Sequence, residues 1–128
     1  MRLLIFGVIA LFGAAGTVAL ASEVVGLSRG DATRGAIVYE RCEGCHSLDS
    51  NRVGPRHRGV YGRVAGSVED YRYSPALRDA GHTWTDETLD AWLTNPGVFV
   101  PGSRMGFRLS DPQERADVIA FLKAQTEG

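Results

Sequence analysis

Cysteine and lysine are scarce in this sequence. Of 128 residues only Cys42 and Cys45 are cysteines, and lysine occurs once, at Lys123. Two cysteines exclude a disulfide-rich scaffold, and a pair separated by two residues closes a ring too small and strained to serve as a structural staple. Positive charge is therefore almost entirely arginine. The net charge of −1 leaves no global electrostatic case for binding nucleic acid or a membrane surface. Methionine is equally sparse, with Met105 the only one after the first residue. There are no internal repeats, low-complexity tracts or long linkers, and no segment alternates apolar and polar residues as a half-buried strand would.

One long apolar run is present, at the N-terminus. MRLLIFGVIALFGAAGTVALAS opens with a single positive charge at Arg2, continues apolar, and ends in Ala19-Leu20-Ala21. That pattern predicts a secretory signal cleaved after Ala21, leaving residues 22–128 as one exported domain. The alternative is an uncleaved inner-membrane anchor, since Leu3 to Ala21 is long enough to cross a bilayer core. Against it, the second half, GAAGTVALA, is only weakly hydrophobic. Either reading puts the domain outside the cytoplasm, in the periplasm. Without Arg2 the remainder carries about −2 by side-chain count. The charge is unevenly spread: Arg41, Arg52, Arg56, Arg58 and Arg63 crowd one stretch, and acids dominate from Glu69 to Asp90.

Helix signals recur along the exported part. Asp31 is an N-cap for a first helix that runs into Cys42-Glu-Gly-Cys-His46. Ser74 and Pro75 start a short helix that Gly81 stops. Thr85, Asp86 and Glu87 open another, with Leu89, Trp92 and Leu93 on one face and Pro96 ending it. Asp111 and Pro112 begin the last, with Glu114 expected to reach back to the cap and Val118, Phe121 and Leu122 as its apolar stripe. Between them lie loops, Ser47 to about Arg72 and Gly97 to Ser110. The fold class predicted is all-α. Loops of that length need something to organise them, and a large flat apolar prosthetic group would supply the interior that a few short helices lack.

The sequence CEGCH names such a group. Thiols at i and i+3 lie on one side of a helical turn and can both add to vinyl groups along one porphyrin edge, with the next residue presenting an imidazole to iron. A thioredoxin-like dithiol would need a βαβ setting, and a closed zinc site would need a fourth protein ligand that no second Cys/His cluster supplies. A low-spin haem also requires a sixth ligand, usually Met or His. Met105, in the polar loop PGSRMGF, is favoured over packing filler because a filler would sit on an apolar helical stripe. His57 and His82 are the other candidates.

From about Gly30 to the end, the sequence resembles class I c-type cytochromes, in the branch of mitochondrial cytochrome c and bacterial cytochrome c2. The segments CEGCH, VGPRHRGVYGR, YRYSPAL, GHTWTDETLDAWLTNPGVFVPGSRM and ERADVIAFL carry the resemblance. It implies a class I cytochrome c fold wrapped around one covalent haem c, with Cys42 and Cys45 as thioethers, His46 as proximal ligand and Met105 as distal ligand. Pro55 would accept from the second imidazole nitrogen, Arg63, Tyr73 and Trp84 would serve a buried haem propionate, and Phe107 would lie beside the haem edge. Gly35 and Tyr39 would meet Phe121. Three positions depart from the family: Trp92 stands for a usual tyrosine, Leu77 for a usual asparagine, and His57 occupies a commonly apolar site. The function implied is a monomeric one-electron carrier, not an enzyme, docking at the haem edge through Arg41, Arg56 and Arg104, with Arg58 and Arg108 behind. Its partners would be a cytochrome bc1-type reductase, an oxidase or another periplasmic redox enzyme. The alternative is a dedicated cytochrome subunit of a periplasmic dehydrogenase or oxidase complex.

Overall fold

A computed structural model describes residues 29–126; the expected signal segment, residues 1–21, lies outside them. Five helices follow in order: α1 (Ala32–Tyr39), α2 (Pro75–Arg78), α3 (Asp86–Thr94), α4 (Pro96–Phe99) and α5 (Pro112–Ala124). Among the described residues the only extended pairing is one isolated bridge, Val64 with Thr83.

The capping chemistry starts the helices where the sequence places it. The Asp31 carboxylate accepts from the Arg34 N–H, the Ser74 hydroxyl from Leu77 and the Asp111 carboxylate from Gln113 and Glu114, each satisfying a first-turn donor that has no partner within the helix. Thr85 and Thr88 form a reciprocal capping box at α3. Two details differ from expectation. The Glu114 carboxylate is turned toward Arg41, two residues beyond α1 and 2.7 Å away, because that guanidinium offers a full charge. And the loop expected after residue 97 contains α4. Pro96 ends α3, since Asn95 before it is extended at φ −162°, and it also starts α4, where a missing N–H costs nothing.

The termini of the domain are joined by α1 and α5, which cross closely enough that a Cβ on Gly35 would lie 2.0 Å from the Asp117 carbonyl oxygen and 2.8 Å from the Phe121 Cβ. Only glycine permits that approach. Tyr39 then stacks at a tilt on Phe121, ring centroids 5.0 Å apart, as expected for the contact that closes the fold. The same crossing buries Asp117, which accepts from the Asp31 N–H, from Nε and Nη2 of Arg34 (each 2.8 Å) and from Gln113 Nε2. The Arg34 guanidinium holds the Asp117 carboxyl at about 2, below its ordinary 3.8.

α3 lies against α5 through Leu89, Trp92 and Leu93, with Val118, Ile119 and Leu122 opposite; all six are buried. Arg115 tethers the two helices and the loop between them, pairing with Asp90 at 2.7 Å and donating to the carbonyls of Leu109 and Ser110. The loops are organised by short backbone links. Gly62 N–H donates to the Trp84 carbonyl, Trp84 N–H to Arg63, and Ala65 N–H to His82. Gly66 follows at φ 72°, where a side chain would be strained and would also strike Arg78. These links bring Arg63 and Trp84, twenty-one residues apart, to one wall of the interior.

Candidate haem site

CEGCH leaves the end of α1 as consecutive turns, not as a continuation of the helix. The Cys42 N–H donates to Tyr39, Cys45 to Cys42, and His46 to Cys42 at 2.9 Å. The last of these is an i to i+4 bond, so the two thiols and the imidazole share one helical turn, as the spacing predicts. All three line a cavity of about 380 Å³. The loop following α4 adds Met105 and Phe107 to the lining, and Leu89, Trp92, Val118 and Leu122 add apolar helix residues.

His46 is held from two directions. Its Nδ1 lies 2.8 Å from the Pro55 carbonyl oxygen; a carbonyl only accepts, so Nδ1 carries the proton and Nε2 keeps its lone pair. Burial pushes the imidazole pKa down and the Pro55 bond opposes that. Gly54 backs the ring so closely that a Cβ there would come within 2.1 Å of His46 Cε1. Burial also pushes the Cys42 thiol up to about 11, with Arg41 pulling it partly back. A reactive thioredoxin-type cysteine is shifted the other way, which speaks against the dithiol reading. Among the described residues no group of three His, Cys, Asp or Glu side chains is arranged to hold a metal ion by itself.

The remaining residues named from sequence are distributed as follows. Arg63 lines the cavity and donates to the carbonyls of Arg56 (2.7 Å) and Arg58. Tyr73 and Trp84 line it too; the phenol oxygen accepts from the Val68 N–H at 3.4 Å, and burial raises the phenol pKa. Phe107 is 38% exposed at the mouth. Trp92 and Leu77 both face the cavity, and Trp92 packs on Trp84 with centroids 5.4 Å apart, consistent with simple filling. His57 and His82 are not placed to face His46 across the cavity. The His57 ring lies parallel to that of His46 at 3.9 Å, and His82 stands edge-on to Trp84 and Phe99 outside the cavity lining. Burial, His46 and Arg63 all hold His57 well below the usual imidazole pKa.

The cationic rim is thinner than the sequence suggests. Arg41 pairs with Glu114, Arg56 with Asp70 at 2.8 Å and Arg58 with Asp49, because acids distant in sequence fold back onto them. Arg52, Arg72, Arg104 and Arg108 have no ion-pair partner among the described residues; Arg104 is on the cavity wall beside exposed Val53 and Phe107. The Asp117 hub was not legible as a site: an acid midway along a helix looks like any solvated residue until the glycine crossing buries it.

Two thiols and an imidazole with a free lone pair on one turn, a thioether in the same cavity and an apolar lining define a protein that holds a flat, iron-bearing macrocycle covalently; the donors present fit a haem. The sequence model of the family described as Cytochrome c matches residues 32–126. Cytochrome c2 of Rhodomicrobium vannielii is 41% identical over 121 residues, covering 91% of this chain and 94% of the relative, and cytochrome c of Arabidopsis thaliana is 40% identical over 104 residues, covering 77% and 93%. Among solved structures, cytochrome cH from Methylobacterium extorquens superposes with a TM-score of 0.72 at 40% identity over 74% of this chain and 99% of the other. Ferricytochrome c2 from Rhodopseudomonas palustris gives 0.70 at 34% identity, covering 74% and 98%. The chain belongs to the cytochrome c family. It has that family's all-α class I fold and covalent haem c, and it serves haem-based electron transfer.

Proposed function

We propose that the protein is a monomeric one-electron carrier of the periplasm, exported by residues 1–21 and cleaved after Ala21. Cys42 and Cys45 would hold the haem covalently as thioethers, and His46 and Met105 would supply its two protein ligands to iron. The observation that carries this reading is the convergence on one apolar cavity of CEGCH and, sixty residues later, the only methionine of the exported part. Bound haem c supplies an iron that takes up and gives back one electron.

The chain's own residues make that exchange fast and selective. Pro55 holds the imidazole at Nδ1 and strengthens its donation through the Nδ1–H bond. The Met105 sulfur, a soft donor, favours the reduced state. With His46 and Met105 as its two protein ligands, the iron would offer no open site to a substrate, and the chain would need no catalytic residue. Trp84, Trp92 and Leu89, all buried, exclude water from the interior. Arg63, Tyr73 and Trp84 line the wall where an N–H or O–H donor would neutralise a buried carboxylate of the prosthetic group. Cys45 and Phe107 remain at the surface, where a partner such as a bc1-type reductase, an oxidase or another periplasmic redox enzyme can come within electron-transfer range. Arg104, on the cavity wall beside Phe107, gives that face positive charge that steers acidic partners.

The test is the optical spectrum of the purified protein beside Met105→His. The wild type should show the far-red ferric band of thioether ligation and the variant should lose it; a wild type without that band, or one binding carbon monoxide readily when reduced at neutral pH, refutes the ligand set. A mature N-terminus at Ser22 supports export with cleavage, while an intact chain extracted only by detergent identifies an anchor. Stoichiometric co-purification with a dehydrogenase would replace the free carrier by a dedicated subunit.

A further inference from the structure

We propose that His57 is a positioning residue for the axial imidazole: its ring, stacked on His46 and anchored by Tyr39, sets the ring plane and lowers the reduction potential. The inference rests on the reading of His46 as an axial ligand.

The two imidazoles lie 3.9 Å apart between centroids and 21° from parallel. That is face-to-face contact over a polar ring, where an aliphatic side chain would offer only dispersion. His57 is itself fixed. Its backbone N–H donates to the Ser47 carbonyl at 2.9 Å, Val60 N–H donates back to the His57 carbonyl, and the side-chain Nδ1 shares a hydrogen bond with the Tyr39 hydroxyl at 3.2 Å. Tyr39 is 2% exposed and packs against Phe121. A continuous row therefore runs from α5 through Phe121, Tyr39 and His57 to His46, tying the helix crossing that closes the fold to the imidazole facing the cavity.

The consequence follows from charge. An imidazole bound to iron carries more positive charge when the iron is oxidised. The electron-rich face of a neutral ring stacked on it favours that state, as an aromatic face favours a cation. The stack also opposes rotation of His46 about the bond to its backbone, which Pro55 restrains at only one atom. An aliphatic residue at position 57 does neither.

The experiment compares holoprotein carrying His57→Leu, His57→Phe or Tyr39→Phe with the wild type. The potential is read as the ratio of reduced to oxidised protein at a fixed mediator poise, and paramagnetic NMR shifts report the His46 ring protons in the ferric state. His57→Leu should raise the reduced-to-oxidised ratio about threefold at a given poise, where a tenfold change corresponds to 59 mV for one electron, and should move the His46 resonances. His57→Phe, flat but without the Tyr39 bond, should fall between. If His57→Leu does not hold haem, Tyr39→Phe, which keeps both imidazoles, should still displace the ratio and the resonances in the same direction. A His57→Leu protein with lowered melting temperature but unchanged ratio and His46 shifts would show that the residue only packs, and would overturn the proposal. Loss of the far-red ferric band from the wild type itself would instead refute the ligand assignment beneath it.

Discussion

Replacing Asp117 by asparagine keeps the shape of the side chain and removes its charge from the centre of the α1–α5 crossing. The carboxylate is 5% exposed and accepts four hydrogen bonds of 2.8–3.0 Å, two of them from Arg34. Its proton affinity in the folded protein corresponds to a pKa of about 2 against an ordinary 3.8. At 1.36 kcal/mol per tenfold this is about 2.4 kcal/mol of coupling to the native state. Because the Arg34 side chain is half in solvent, screening reduces the expected loss to about 1.5–2 kcal/mol. The pH dependence has a definite sign. A carboxylate whose folded pKa is depressed contributes its full stabilisation above the unfolded value and loses it as pH falls through the folded one. Guanidinium denaturation of the holoprotein followed by far-ultraviolet circular dichroism should therefore show Asp117→Asn less stable at pH 7 by that amount. The gap should close as pH falls from about 4 to about 2, where the wild-type carboxyl takes up its own proton. A gap below about 0.5 kcal/mol at pH 7, or one that does not narrow on acidification, would refute the assignment of Asp117 as a buried charged hub.

Gly35→Ala should push the two helices apart, since its Cβ meets the Asp117 carbonyl at 2.0 Å; a loss of about 3 kcal/mol in the same denaturation is expected, and a loss under about 1 would mean the crossing adapts. Gly54→Ala should drive a methyl into the His46 ring, 2.1 Å from Cε1. The reduced variant should then bind carbon monoxide where the wild type does not, and an unperturbed spectrum would show that the ring has room to move. Electron transfer to an acidic redox partner should slow as ionic strength rises, more strongly for wild type than for Arg104→Ala; identical salt dependence would remove Arg104 from the docking face.

Much of this was legible in one dimension because it is local. Asp31, Ser74, Thr85 and Asp111 cap helices through bonds to residues two or three positions on, and CEGCH specifies its own turn through the Cys42 carbonyl. Local chemistry of this kind is written in adjacent residues, so the helix order and the attachment turn could be stated before any coordinates. Even there, a proline with two roles was read once: Pro96 as a stop and not as the start of α4.

Long-range pairing was not written in this way. Which arginines stay free depended on acids returning from elsewhere in the chain, so Arg41 and Arg56 looked like docking cations until Glu114 and Asp70 met them. Asp117 became a buried hub only when α5 crossed α1 at Gly35. His57, an odd residue at a usually apolar position, acquired a role only when folding laid its ring on His46. Composition and spacing alone determined a helical, haem-attaching chain, because hydrogen bonds to near neighbours and thioether geometry depend on a few consecutive residues. The tertiary structure decided which charges are neutralised, which acid is buried and which imidazole stacks, because burial and Coulomb energy depend on everything nearby in space and not on order along the chain.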